Sequence, residues 1–365
     1  MFEPELFWAN IPDRDDYLGF LDSLIPQCFL KDFKEPYCIW TGTGVLNASK
    51  FKDVQNLHLF LYEPLRITNQ ELSVELNCLK DFAITVYIPN LNIEPLAKNY
   101  PNLIIKTLDL FFIISGLTYF CMYKDNDNHV DHQDLIYKKF WCGNWRYTVH
   151  RHLIMCYLAT LNGTYSWHFD CEYNVLLSNC WFDFKKCQSL NFDVYARLIN
   201  GCNMLTKDQF SLDQLPFMPI KIKDLTYSYY PNNKKYAPGS MEFHQSYTTA
   251  FCSIITESEY DYPFGFLTEK TLSPILYFRP FVLVSSQHSL RFLKKYGFKT
   301  FNQWWDESYD HEEDHMLRMM KIFKVIDYLD SLSLNELKQI YADMLPTLKH
   351  NRNILKEIIV KNPLF

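Results

Sequence analysis

The sequence predicts an α/β protein whose strands run parallel and are joined by helices, with further helices at the C-terminal end. Two observations carry this. The first is the order in the stretch from Ala250 to Asp310: an apolar run Ala250–Ile255, Thr256-Glu257 and a loop, Thr268 before a helical segment, a second apolar run Phe281–Val284 opened by Pro280, a Ser-rich turn, then another helix. Parallel strands need a connection of helix length, so this order reads as crossover units of one sheet. The second is the alternation of short strands and helices before residue 120, the pattern of a separate α/β domain.

Taken from the start, Tyr37–Trp40 is a strand running into Thr41-Gly42-Thr43-Gly44. That turn lacks both the full dinucleotide fingerprint and the phosphate-loop ending, so it supports no nucleotide claim by itself. Leu57–Leu61 is the next strand, ending in Tyr62-Glu63-Pro64, and Ala83–Ile88 a third, closed by Pro89. Leu103–Lys106 and Phe111–Ser115 are two more, or one of them belongs to a helix; a helix is expected around Glu71–Leu79. The polar segment Lys124–Asp134 contains Asp125-Asn126-Asp127. A calcium loop is excluded because Val130 and Ile136 stand where glycine and a bidentate glutamate are required. The Asp-x-Asp is read as a solvated loop, with a metal-dependent sugar-transferase motif as the alternative.

Phe140-Trp141-Cys142 forms a short strand followed by Gly143-Asn144-Trp145-Arg146 and a helix from about Val149 to Leu161. Arg146 and Arg151 lie in the loop and the first turn of that helix. Two guanidinium groups there, facing a second helix that offers Lys270, would clamp a diphosphate; two surface arginines would look the same in sequence. Thr268, Glu269 and Lys270 likewise admit two readings. They cap an ordinary helix, or they present N–H groups and an ammonium to a phosphate and a carboxylate to a ribose. Residues 165–240 are aromatic and weakly periodic, with Leu215–Lys223 and Tyr227–Pro231 extended, and yield no chemistry. Glu312–Leu329 and Leu334–Ile359 have helical spacing, the second opened by Ser333 and Glu336 as a capping box.

At 365 residues, 48% of them hydrophobic and 21% charged, the chain has material for two cores and no signature of long disorder. A net charge of −6 gives no overall basic field for nonspecific nucleic-acid binding. Eleven cysteines without a CxxC pair read as reduced, buried thiols, and they imply neither a disulfide framework nor a zinc site. The opening residues carry acids where a secretory leader carries bases, and the apolar run Leu103–Tyr123 is broken by Lys106, Asp109 and Gly116. The expectation is therefore a soluble, cytoplasmic protein without a membrane span, in the host cytoplasm if the source is viral.

Three segments carry a family resemblance: KFWCGNWRYTVHRHLIMCYLATL, TAFCSIITESEYDYPFGFLTEKTLSPILYFRPFVLVSS and SLRFLKKYGFKTFNQWWDESYD. Together they resemble phage and bacterial GT-B-type glycosyltransferases related to the α1,3-fucosyltransferase group. The resemblance covers roughly residues 138–310, the C-terminal helices loosely, and the first 130 residues only through Leu59–Pro64. It implies two Rossmann-like domains facing a central cleft. Residues 1–135 would be the acceptor-side domain, 136–330 the nucleotide-sugar domain, and 331–365 a helix packing back on them. It implies Arg146, Arg151 and Lys270 on the donor diphosphate, Glu269 on the ribose and Glu257 near the donor sugar. Glu63 is the expected catalytic base, an ordinary structural glutamate being the alternative, with Glu307 and Asp310 behind it. The implied activity is glycosyl transfer from a nucleotide sugar to a hydroxyl, in a hydroxymethylated pyrimidine of phage DNA or a surface glycan. Neither a metal nor another cofactor is required, because Arg and Lys neutralise the leaving group. The alternatives are a noncatalytic nucleotide- or glycan-binding protein on the same scaffold, and a manganese-dependent enzyme using Asp125 and Asp127.

Overall fold

The computed structural model describes residues 37–40, 57–61, 84–88, 103–107, 135–144, 148–161, 165–169, 174–176, 181–206, 219–221, 247–261 and 267–361. The chain divides into two compact units. One comprises Met1–Thr118, Phe266–Thr268 and Glu357–Phe365, the other Tyr119–Gly265 and Glu269–Lys356.

The first unit holds a four-stranded sheet of β1 (Tyr37–Trp40), β2 (Leu57–Leu61), β3 (Ile84–Ile88) and β4 (Leu103–Thr107). Its strands lie in sequence order and every pairing is parallel. This is the all-parallel arrangement the alternating pattern predicts. The helix expected at Glu71–Leu79 and the strand expected at Phe111–Ser115 lie outside the described residues, as do Glu63 and the Asp125-Asp127 segment.

The second unit is built on β5 (Lys138–Asn144), β6 (Tyr165–Phe169), β9 (Ala250–Thr256) and β10 (Phe281–Val284), ordered β10-β9-β5-β6 and parallel throughout. A small antiparallel pair, β7 (Asn174–Leu176) and β8 (Pro219–Lys221), stands apart from it. Every residue of β9 and β10 is buried. That is why these segments read as unbroken apolar runs: a parallel sheet is covered by helices on both faces and has no solvent side to alternate with. β5 extends two residues beyond the expected Phe140–Cys142 at each end, since the lysines before it and Gly143-Asn144 after it continue the ladder to β6 and β9.

The helices of this unit are α1 (Val149–Ala159), α2 (Phe184–Leu190), α3 (Phe192–Thr206), α4 (Glu269–Leu276), α5 (Ser289–Lys295), α6 (His315–Ser331) and, as far as Lys356, α7 (Leu334–Lys361). α1 is buried on all sides, so it is a core helix rather than an amphipathic one. It crosses α3 so closely that a Cβ on Gly201 would lie 1.7 Å from the Cys156 carbonyl oxygen, and only glycine admits that approach. Tyr157 stacks on Phe323 of α6, and its hydroxyl donates to Asp327 at 2.7 Å, as does Arg197 of α3 at 2.6 Å. One carboxylate thereby ties three helices together.

α2 and α3 stand in the part of residues 165–240 that the sequence shows only as aromatic and weakly periodic, and β8 lies inside the expected extended stretch Leu215–Lys223. Each helix begins on a side-chain cap, Asp183 accepting from Lys186 N–H at 2.9 Å and Asn191 from Val194 N–H at 3.1 Å. α6 begins at His315 rather than Glu312, because Asp314 accepts from Met316 and Leu317 N–H and so fixes the helix start. The capping box of α7 is formed as expected: Glu336 accepts from Ser333 N–H at 2.8 Å while Ser333 Oγ accepts from Glu336 N–H at 3.3 Å. α7 then docks on the turn after α5 through Asn351, which exchanges two 2.8 Å hydrogen bonds with the Lys299 backbone. Cys142, Cys156, Cys187, Cys202 and Cys252 are buried thiols that form no disulfide, as predicted for reduced core cysteines. No helix among the described residues is long and apolar enough to cross a membrane.

Candidate functional site

β5 is central in the sheet of the second unit. Its chain leaves through α1 to β6 on one side, while the neighbour on its other side, β9, leaves through α4 to β10. The strand order therefore reverses between β5 and β9, and the crevice beyond the carboxyl ends of such a pair is where open parallel sheets bind ligands. The residues placed there are Asn144 at the end of β5, Thr148, His150 and Arg151 at the start of α1, Thr256 and Glu257 at the end of β9, and Lys270 and Thr271 in the first turn of α4.

Asn144, Thr148, His150, Arg151, Thr256, Glu257 and Thr271 are joined in one polar network. Thr256 Oγ1 donates to Asn144 Oδ1 in a short hydrogen bond that joins the two strand ends. Arg151 Nη2 donates to the carbonyls of Thr256 and Glu257, both at 3.2 Å. His150 Nε2 lies 2.8 Å from the Glu257 carbonyl, an acceptor only, so Nε2 carries the proton. Its Nδ1, 3.1 Å from Thr148 Oγ1, is then free to accept the threonine hydroxyl. Thr271 Oγ1 donates to Glu257 Oε1 at 2.5 Å, fastening the first turn of α4 to the end of β9. Glu257 N–H in turn donates to the Val284 carbonyl at 3.0 Å and carries the ladder one residue past β9.

Positive charge gathers around His150. Burial pushes its imidazole down to about 3, and Arg151, Arg318 and Lys270 all push the same way, against the Glu257 carbonyl bond that favours the charged form. The ring is thus neutral in the ordinary pH range and senses three cations. Arg318, only 1% exposed and in the first turn of α6, donates to the Tyr260 carbonyl at 2.6 Å and the Glu312 carbonyl at 2.8 Å. Its guanidinium lies over the Tyr260 ring at 4.5 Å, and that ring stacks between His150 and Trp181 at 5.3 and 4.7 Å.

Of the predicted site residues, the structure brings Arg151, Glu257, Glu269 and Lys270 to this one edge. Arg151 is 2% exposed and Glu257 is fully buried, so both hold the strand ends and the α4 start in place. Lys270 is half-buried at the rim. Glu269 opens α4. Arg146 and Glu63 lie outside the described residues. Glu307 and Asp310, named as further bases, are both buried and serve local structure: Glu307 accepts from Phe301 N–H at 2.7 Å, and Asp310 accepts from Leu290 and Arg291 N–H at the start of α5. Burial raises the proton affinity of both carboxyls.

Sequence reasoning missed His150 and Arg318. His150 stood inside the quoted GNWRYTVHRH segment at the second position of the helix, a place that points toward the strand ends. Arg318 carries no local sequence signal, because α6 reaches the site only through the tertiary fold. Two groups of metal-ligating side chains also come together among the described residues, each with its ligand atoms within 4.8 Å: buried His152, Cys156 and Cys202 between α1 and α3, and His288, Asp310 and His311 beyond β10.

No family model matches the sequence, and no curated protein does. Among solved structures, the chain is similar to a UDP-forming α,α-trehalose-phosphate synthase from Burkholderia xenovorans, with 10% identity and a TM-score of 0.45 over 96% of this chain and 79% of that one. It is also similar to an E. coli trehalose-6-phosphate protein bound with UDP-2-fluoro glucose, with 10% identity and a TM-score of 0.41 over 95% and 77% of the two chains. A Burkholderia multivorans α,α-trehalose 6-phosphate synthase gives 12% identity and a TM-score of 0.41 over 97% and 76%. Likenesses this loose assign the chain neither an activity nor a substrate.

Proposed function

We propose that the chain is a GT-B-type glycosyltransferase that moves a sugar from a nucleotide-sugar donor to a hydroxyl acceptor. The observation that supports this most is the topological switch between β5 and β9, where the N-termini of α1 and α4 open beside Arg151, Arg318 and Lys270. Helix N-termini with neighbouring cations favour a phosphate chain. The resemblance in these same segments to nucleotide-sugar transferases points to the same ligand.

In this reading Lys270 and Arg146 neutralise the departing nucleotide diphosphate, and Glu269 accepts from the ribose hydroxyls. Arg151 and Glu257 act one step back. Arg151 clamps the carbonyls at the end of β9, and Glu257 holds the first turn of α4 through Thr271, so that Lys270 is presented at a fixed place. Glu63 takes the proton from the acceptor hydroxyl as it attacks the donor sugar, and the diphosphate leaves without a metal, its charge met by Lys and Arg. The acceptor is a hydroxymethylated pyrimidine in DNA or a glycan, and the reaction takes place in the cytoplasm.

Incubation with radiolabelled UDP- and GDP-sugars against hydroxymethylcytosine DNA and oligosaccharides tests this. Label should enter one of the two acceptors and be lost in Glu63→Gln, with donor binding kept. Full activity in that variant would remove Glu63 from the role, and failure to bind any nucleotide sugar would remove the whole reading. A second reading, a noncatalytic binder, draws on the burial of Arg151 and Glu257, which leaves both in structural duty. It predicts donor binding with neither transfer nor slow release of free sugar.

A further inference from the structure

We propose that His288, Asp310 and His311 form a binding site for a divalent transition metal of the zinc, cobalt or nickel type, independent of the transferase reading. The three side chains offer two imidazole nitrogens and a carboxylate oxygen within 4.8 Å of one another. Two imidazoles and a carboxylate suit borderline divalent ions, whereas magnesium and calcium prefer oxygen throughout.

The backbone argues that His288 is there for its ring. It has φ 66° and ψ 15°, the left-handed region, which costs a non-glycine residue about 1 kcal/mol. A residue in that position before a helix can recover the cost by capping, but the His288 side chain makes no capping hydrogen bond to α5. Asp310 supplies that cap from another part of the chain, through Leu290 N–H at 2.8 Å and Arg291 N–H at 3.2 Å. The imidazole Nδ1 of His288 is meanwhile buried with no hydrogen-bond partner. A buried polar nitrogen costs roughly 1–3 kcal/mol when it makes no bond. A cation bound at that nitrogen would satisfy it and offset the cost of the left-handed backbone.

The rest of the site is held ready. His288 N–H donates to the Asp310 carbonyl at 2.8 Å, and Gln287 Nε2 donates to the His311 carbonyl at 3.2 Å. The turn after β10 is thus locked to the short 3-10 helix Ser308–His311. The N–H groups on Asp310 orient its carboxylate and leave each oxygen a lone pair, as the outer hydrogen bonds of metal-binding carboxylates do. The two imidazole rings are 5.6 Å apart between centroids. A tetrahedral ion with bonds of about 2.0–2.2 Å draws its donors to roughly 3.4 Å. The exposed His311 ring can supply that contraction by turning about its side-chain bonds, and its exposure also gives the ion a way in. Three protein donors leave a further coordination position open.

The test is titration of untagged full-length protein with Co²⁺, followed by visible absorption and calorimetry, with Zn²⁺ competition. One equivalent should bind with a d–d spectrum lacking a thiolate charge-transfer band. His311→Ala and His288→Asn should each weaken binding by about tenfold or more. Asn is chosen because it tolerates the left-handed conformation, and unchanged circular dichroism will show that both variants fold. Cys156→Ser should leave binding intact. The proposal is overturned by no binding, by affinity in both histidine variants equal to that of the unaltered protein, or by a thiolate band that disappears in Cys156→Ser, which would place the ion in the buried His152-Cys156-Cys202 cluster instead.

Discussion

The carboxyl ends of β9 and β10 are neighbours in one parallel sheet and solve the same problem differently. At the end of β9 the carbonyls of Thr256 and Glu257 are taken up by Arg151 and His150, the Glu257 carboxylate by Thr271, and the Thr256 hydroxyl by Asn144. At the end of β10 the turn is strained at His288, its imidazole nitrogen is left without a partner, and the helix cap comes from Asp310 far along the chain. A network that takes up both strand-end carbonyls fixes a platform on which a residue such as Lys270 can be presented. A turn that leaves an imidazole nitrogen unbonded keeps binding capacity at the cost of stability.

If that contrast holds, substitutions at the two edges should differ in size and even in sign. The largest effect is expected for Arg151→Met, which takes the side-chain donor from the buried Thr256 carbonyl and leaves the Glu257 carbonyl to His150. It should destabilise the fold by about 3 kcal/mol or more, read from denaturant unfolding. Next is the acid limb of stability. Since the folded His150 titrates at about 3 against an ordinary 6.5, the unfolded chain binds the extra proton first. His150 therefore contributes in full above 6.5, and the contribution drains away as pH falls from there toward 3. His150→Gln should flatten that limb. The buried carboxyls of Glu307 and Asp310, raised by burial, have the opposite sign and cost stability as pH rises through the carboxylate range.

A smaller loss, about 1–2 kcal/mol, is expected for Thr271→Val, which keeps the shape of the side chain and removes its hydrogen bond to Glu257. Donor affinity should fall with it, because the α4 start is no longer fastened. The smallest effect reverses direction. His288→Gly should raise thermal stability without metal by roughly 1 kcal/mol, since glycine occupies φ 66° without strain. A loss there would mean that the imidazole already stabilises the turn.

How far the sequence was legible follows from the same physics. β9 and β10 were readable to within a residue because burial on both faces demands unbroken apolar runs, and Pro280 marks where one begins. The start of α4 was readable from Thr268-Glu269-Lys270, and α7 from Ser333 and Glu336, because caps are local chemistry. α2 and α3 were not recognised. Aromatic residues, Asn200 and Gly201 lower their intrinsic helix preference, and tertiary packing against α1 overrides it. Their caps, Asp183 and Asn191, were present as signals. The linkage of His150 to Glu257, the arrival of Arg318 from α6 and the gathering of His288 with Asp310 and His311 depend on residues distant in sequence, which no local pattern encodes.

The central claim is that the β5–β9 edge presents Lys270 to the diphosphate of a nucleotide sugar. Calorimetric binding of UDP- and GDP-sugars to the unaltered protein and to Lys270→Ala tests it most directly, with thermal melting measured alongside. The account predicts saturable binding of one donor, weakened about tenfold or more by the substitution, with the melting temperature unchanged because Lys270 lies at the half-buried rim. Equal affinity in the two proteins would contradict it.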